Sequence, residues 1–279
     1  MLTNYHTHCQ FCDGRSSAAE MAEAAHAAGY DALGFSSHAP LPFDTDWTMK
    51  AERLPDYVDE IRRLKKVWEG RMEILLGLEI DWIESLVGPG DGRFAGAGLD
   101  YRIGSVHFID PCRSGSFTID SPTEEFDRNV RELAKGDGRL VYRTYYDNLA
   151  KAIEAGGFDI LGHLDLVVRN NQDGRWFDEE SRDYLDAALA AVEPLGESGA
   201  IVEVNLGAIL RGKAKAPHPS LPILKRLREL GVPITFSADA HHVQHLGAGI
   251  DIASAHAKAA GYKEIAVLSN GAWKLVALN

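Results

Sequence analysis

The sequence predicts an α/β protein built on a parallel sheet, and three observations carry that expectation. Short apolar runs alternate with long helical stretches along the whole chain. The length of 279 residues suits one α/β barrel of about 250 residues as readily as two smaller domains. Nearly every apolar run ends on a His, Asp or Glu, as expected where parallel strands converge on one face of a barrel.

Taken in order, strands are expected at residues 2–5, 32–36, 73–79, 101–106, 159–162, 200–204 and 233–237. The first helix starts at Ser17-Ala18-Ala19-Glu20, a capping box, and runs to Gly29, which suits a C-terminal cap. Further helices are expected at 54–68, 123–135, 142–155, 179–195, 221–230 and 249–260. The Gly-rich and polar stretches 88–98 and 169–176 read as loops, since strands of the same series resume beyond them. A last run, 264–268, is expected as one more strand closing or flanking the barrel. No boundary divides the chain, so one domain over residues 1–279 is expected.

Twenty-nine Lys and Arg against 41 Asp and Glu give a formal charge of −12, which repels nucleic acid and acidic membrane surfaces. No apolar run reaches the roughly 18 residues of a membrane span, and the first residues lack the pattern of a signal peptide. A cytoplasmic protein with neither a nucleic-acid nor a membrane partner is expected. Cys9, Cys12 and Cys112 are too few and too odd in number for a disulfide framework. Cys9 and Cys12 form a C-x-x-C, the spacing of a redox dithiol or half a zinc site. No second pair follows, so two small side chains on a loop is the simpler reading.

The strand ends hold the chemistry. They carry His6 and His8, His38, Glu79, His107, His163 with Asp165, Glu203 with Asn205, and Asp239 with His241. Residues two apart on a strand face the same side, so His6 with His8 and Asp239 with His241 each act together. Six histidines and several carboxylates on one rim are donors suited to Zn, Mn or Fe, and too many for one tetrahedral ion. His26, His242, His245 and His256 lack this placement and read as surface or hydrogen-bonded residues.

These residues, with the opening run His6-Thr7-His8-Cys9-Gln10-Phe11-Cys12-Asp13-Gly14 and the later Gly77-Leu78-Glu79, His107, His163 and Asp239-Ala240-His241, resemble the polymerase and histidinol phosphatase (PHP) superfamily of metal-dependent phosphoesterases. The match extends from His6 to at least Gly247. A finer likeness to its histidinol phosphate phosphatases rests on residues 162–169, on Glu203-Val204-Asn205 leading to Arg211-Gly212-Lys213, and on His218-Pro219-Ser220. Two departures stand out. Residues 206–211 read Leu-Gly-Ala-Ile-Leu-Arg where many members have a Thr-Ser-Gly-Leu-Arg-like run, and Asp13 stands where many histidinol phosphatases have His.

The resemblance implies a distorted (β/α)7 TIM-like barrel, the PHP fold, holding three divalent ions (Zn, Mn or Fe). It places His6, His8, Glu79 and Asp239 on the first ion, Glu79 as a bridge with His107 and His163 on the second, and Asp13, His38 and His241 on the third. It further implies hydrolysis of a small phosphate monoester, L-histidinol phosphate, by a hydroxide bridging two ions, with Asp239, His241 and Glu79 catalytic. Arg169 and Arg211 follow strands five and six and are expected to bind phosphate oxygens. Asp165, Asn205 or Asp110 are candidates for the ammonium and imidazole of the substrate. The alternatives are another small phosphate ester or nucleotide, a nuclease, which the acidic charge disfavours, and a metal-binding module without activity.

Overall fold

The computed structural model describes residues 1–109 and 117–278. Along the chain it forms β1 (Thr3–Asn4), α1 (Ala18–Ala27), β2 (Ala32–Phe35), α2 (Leu54–Trp68), β3 (Glu73–Asp81) and β4 (Tyr101–Ser105). A short antiparallel pair, β5 (Phe108–Ile109) and β6 (Phe117–Thr118), precedes α3 (Thr123–Glu132) and α4 (Gly138–Ala155). Then come β7 (Ile160–Leu161), α5 (Arg182–Val192), α6 (Leu195–Ser198), β8 (Ile201–Asn205), α7 (Gly207–Leu210), α8 (Leu221–Glu229), β9 (Ile234–Ser237) and α9 (Ile250–Ala259). The hairpin of β10 (Glu264–Ser269) and β11 (Ala272–Ala277) ends the described chain.

Seven strands pair in parallel in the order β1-β2-β3-β4-β7-β8-β9 and form the distorted barrel. The ring closes beyond the regular strands, where His8 N–H donates to the Ala240 carbonyl at 2.9 Å and Ala240 N–H to the His6 carbonyl at 3.1 Å. The segments that close it therefore carry four of the expected metal donors.

Alternation along β3 shows how the sequence builds both faces. Leu76, Leu78 and Ile80 pack outward with Tyr57, Val58, Ile61, Leu64 and Trp68, the apolar stripe of α2. Leu75, Gly77, Glu79 and Asp81 take the inner face. At the lower end of the barrel Tyr5, Leu75, Tyr101, Ile103, Ile160 and Ile201 form a plug with Ala266, Leu268 and Trp273 of the terminal hairpin. Tyr101 fills the axis because Gly34 and Gly77 have no side chain. A Cβ at Gly77 would lie 2.5 Å from the Tyr101 ring, and one at Gly34 would lie 2.4 Å from its hydroxyl.

Several boundaries differ from the sequence expectation for local reasons. The fourth long helix begins at Gly138, four residues early, because the Asp137 side chain accepts from Leu140 N–H and caps it. The next begins at Arg182 rather than 179, since Ser181 caps it through Tyr184 N–H. The run at 264–268 is a strand, but it pairs antiparallel with β11 and lies outside the seven-stranded sheet. Among the described residues no helix is long and apolar enough to cross a membrane.

Candidate metal centre

The rim of the barrel brings all nine expected metal donors into one cluster. Glu79, at the upper end of β3, is its hub. Its Oε2 lies 3.1 Å from His6 Nε2, 3.4 Å from His8 Nε2 and 3.0 Å from His38 Nδ1, and its Oε1 lies 3.0 Å from His163 Nε2 and 3.6 Å from His107 Nε2. Ser105 Oγ donates to the same Oε1 at 2.7 Å. Asp239 Oδ1 stands 3.3 Å from His8 Nε2 and 3.8 Å from His6 Nε2.

Four sets of donor atoms lie close enough to share an ion: His6, His8 and Asp239; His6, Glu79 and His163; His38, Glu79 and His107; and His8, Asp13, His38 and His241. This grouping differs in part from the sequence expectation. His107 and His163 each meet Glu79, but with different third partners, His38 and His6. His8 joins the Asp13, His38 and His241 set as well as its own, because its ring stacks on that of His241 with centroids 4.0 Å apart.

The residues fit metal ions on the chemistry of their unpaired atoms. His6 Nε2, His8 Nε2, His38 Nδ1, His163 Nδ1 and Glu79 Oε2 are all buried without a hydrogen-bond partner. A desolvated polar atom left unpaired costs about 1–3 kcal/mol, so five in one cluster are hard to sustain without a ligand.

Carboxylates behind the cluster orient the rings. His6 Nδ1 donates to Glu203 at 2.9 Å, which leaves Nε2 with the free lone pair. Glu203 also accepts from His163 N–H at 2.7 Å, Asn205 Nδ2 at 2.7 Å and Ser237 Oγ at 2.6 Å. His107 Nδ1 donates to Asp81 at 2.8 Å in the same way. Sequence reasoning assigns Glu203 and Asp81 no role of this kind. A signal for them exists, since each stands two residues from a rim group on its own strand and so shares its face.

Electrostatics follows from burial and these neighbours. Burial opposes the protonated form of His6, yet the carboxylates of Glu203, Glu79 and Asp239 hold its pKa well above the usual imidazole range. Burial likewise opposes protonation of His107, and Asp81 and Asp120 push it up to about 10. His8 is lowered to about 3 by burial and by the charges of His241 and His38. Glu79, despite burial, stays ionised well below the carboxylate range beside His38 and His6.

The expected substrate contacts are placed unevenly. A cavity of about 950 Å³ opens over the cluster, lined by Asp13, His38 and His241 and by Arg169 and Arg211. Arg169 pairs with Asp120 at 3.3 Å. Arg211 turns back from the end of α7, donating to Asp239 Oδ2 and to the Asp239 carbonyl, each at 2.9 Å. Gly207 admits this contact, since a Cβ there would lie 2.6 Å from Asp239 Oδ2.

Asp165 and Asn205 are not among the residues lining the cavity. Asp165 is buried and holds His218 Nδ1 at 2.6 Å and Ser220 N–H at 2.7 Å, while Asn205 bridges Glu203 and Gly207 N–H. Both spend their polar atoms inside the protein, in a supporting place behind the rim. Asp110 and Cys112 lie outside the described residues. Cys9 and Cys12 are free thiols, with Cys9 Sγ 3.4 Å from Ser37 Oγ and Cys12 Sγ 3.4 Å from His8 Nδ1.

The chain is similar to known proteins over most of its length. A PHP domain model matches residues 4–206. A probable histidinol-phosphatase of Deinococcus radiodurans is 32% identical over 258 residues, 88% of each chain. The histidinol-phosphatase of Bacillus subtilis is 28% identical, over 87% of this chain and 94% of its own. Among solved structures, the histidinol phosphate phosphatase of Lactococcus lactis, complexed with zinc, L-histidinol and phosphate, shares the fold with a TM-score of 0.68 at 20% identity, over 98% of both chains.

Proposed function

The chain belongs to the PHP domain family, and on that premise we propose that it is a metal-dependent phosphatase hydrolysing L-histidinol phosphate to L-histidinol and phosphate. The observation that carries this reading is the buried hub of Glu79 facing five imidazoles beneath a cavity whose lining includes Arg169 and Arg211. The activity of the relatives, which align over nearly nine tenths of this chain, supports the substrate.

We assign His6, His8, Asp13, His38, Glu79, His107, His163, Asp239 and His241 as ligands of up to three divalent ions, with Glu79, Asp239 and His241 nearest the reacting phosphate. Ions held there supply activation of water and neutralisation of phosphate charge. The protein residues set the stage for that chemistry. Glu203 and Asp81 hold the protons of His6 and His107 on Nδ1, so that each Nε2 is a free donor. Arg211 fixes the Asp239 carboxylate, and Arg169 offers its planar fork to phosphate oxygens from the cavity wall.

The direct test is phosphate release from L-histidinol phosphate, AMP, fructose 1,6-bisphosphate and p-nitrophenyl phosphate on protein of counted metal content. A preference of about a hundredfold in kcat/KM for the first, about 2.7 kcal/mol in the transition state, is expected. Equal rates, or a preference for another ester, would transfer the same centre to a different phosphatase.

Replacing Arg169 by Met removes a charge-assisted contact of about 1.5–3 kcal/mol, so kcat/KM should fall about 10- to 150-fold and inhibition by inorganic phosphate should weaken in parallel. Unchanged phosphate inhibition would remove Arg169 from the phosphate site.

Metal binding should also depend on pH. His6 and His38 are raised above the usual imidazole range, with burial opposing and facing carboxylates prevailing, and His107 is at about 10. These shifts favour the protonated ring in the metal-free protein, whereas a ligating imidazole is neutral. Zinc affinity should therefore rise from pH 6 to pH 8 with release of protons, seen by titration calorimetry in buffers of different ionisation enthalpy. Binding without proton release would contradict the protonation of these rings.

A further inference from the structure

The cavity over the metal rim has lining residues besides the metal donors and the arginines. Asp46, Trp47 and Glu125 line it, and none of the three figures among the sequence candidates. Asp13 faces His241 at 3.3 Å and Asp120 is paired with Arg169, so those two carboxylates are already compensated. Asp46 and Glu125 have no ion-pair or hydrogen-bond partner for their side chains among the described residues. The cavity therefore holds, among the described residues, two carboxylates without a partner of their own in the same lining as Arg15, Arg169, Arg211 and Lys213.

Trp47, the chain neighbour of Asp46, stands beside the metal centre. Its ring stands edge-on to His38 at 4.7 Å and to His107 at 5.4 Å, and lies nearly parallel to Phe108 at 5.8 Å, an angle of 27°. These contacts hold a half-buried indole beside two of the metal donors. His38 lines the same cavity, so the indole stands where the cavity meets the rim.

An aromatic ring and unpaired carboxylates lining one cavity attract a planar or cationic group and give little to a neutral one. From this we infer that Trp47, Asp46 and Glu125 are the specificity-determining residues that select a phosphate ester whose organic end is a cationic, ring-bearing amine. The inference rests on the phosphatase reading of the metal centre and adds the means of choosing the substrate. It also accounts for a cavity far larger than a phosphate group needs.

The test uses the metal-loaded full chain and two esters, L-histidinol phosphate and the uncharged-ring p-nitrophenyl phosphate. The readout is the ratio of their kcat/KM values in the wild type and in D46N, E125Q and W47L. Asp46 is exposed and Glu125 part-exposed, so their amides should fold normally; circular dichroism and metal content check this. The ratio should fall at least tenfold in D46N and E125Q, through KM for the cationic ester, and further in the double variant. Competitive inhibition by L-histidinol of p-nitrophenyl phosphate hydrolysis should weaken by a similar factor.

A wild-type preference for the cationic ester that survives in all the variants overturns the inference and leaves the phosphatase reading standing. A wild type with no such preference, and no inhibition by L-histidinol, overturns both.

Discussion

Replacing Glu79 by Gln is expected to lower kcat/KM for L-histidinol phosphate by at least about a thousandfold, about 4 kcal/mol of transition-state stabilisation. The carboxylate is 1% exposed and stands within 3.6 Å of nitrogens from five different histidines. Two of the four donor sets run through it. The amide keeps the shape but loses the charge and turns an –NH2 toward imidazole nitrogens that need an acceptor or an ion. Metal content by elemental analysis should fall with activity, while the hydrogen bond from Ser105 and the packing of β3 remain available to the new side chain. A variant with full metal content and full turnover would remove Glu79 from the centre of the reading.

The second large effect is expected from Gly14, a residue that touches no donor directly. A Cβ there would lie 2.4 Å, 2.5 Å and 2.7 Å from the backbone N, Cα and C of Cys9. Backbone atoms cannot rotate aside as a side chain can, and Cys9 lies in the segment that closes the barrel beside His8, whose N–H bonds to Ala240. Replacing Gly14 by Val therefore forces residues 9–14 apart and carries Asp13 away from His241 and His38. The cost is about 3 kcal/mol or more, a fall in Tm of about 6–12 °C. The Asp13 set should lose its ion before the sets built on Glu79, so metal stoichiometry should drop by about one with part of the activity retained. Wild-type Tm and metal content in this variant would show that the loop absorbs the side chain and that its close approach is not required.

Much of the candidate site is legible in the amino-acid sequence because strands impose a period of two. That rule pairs His6 with His8 and Asp239 with His241, and a parallel barrel gathers strand ends on one face, although both pairs lie just beyond β1 and β9 and Asp239 takes a positive φ of 46°. The same rule applied to Glu79-Ile80-Asp81 and Glu203-Val204-Asn205 leads to the orienting carboxylates. Their role is not legible, because a carboxylate on the inner face can hold an ion, a substrate or a histidine, and the choice depends on which ring lies across from it. Asp165 shows the same ambiguity: it lies in the turn after β7 rather than on the strand, and its partner, His218, lies 53 residues away in sequence. Asp46, Trp47 and Glu125 leave no periodic signal, since the first two lie on a loop and the third opens a helix.

The alternation of strand and helix, the rim on which the donors stand and the chemistry those donors favour all arise from local periodicity and side-chain type, and so are written in the chain itself. Which donors meet is a matter of the folded barrel. It depends on strand order around the ring, on closure between residues 6–8 and 240, and on rings turned by distant carboxylates. The reach of Arg211 to Asp239, and the side chains of Asp46 and Glu125 left without partners among the described residues of the cavity, belong to the same level. Contacts between segments far apart in the chain have no period to betray them, and each is settled by the packing of the whole barrel.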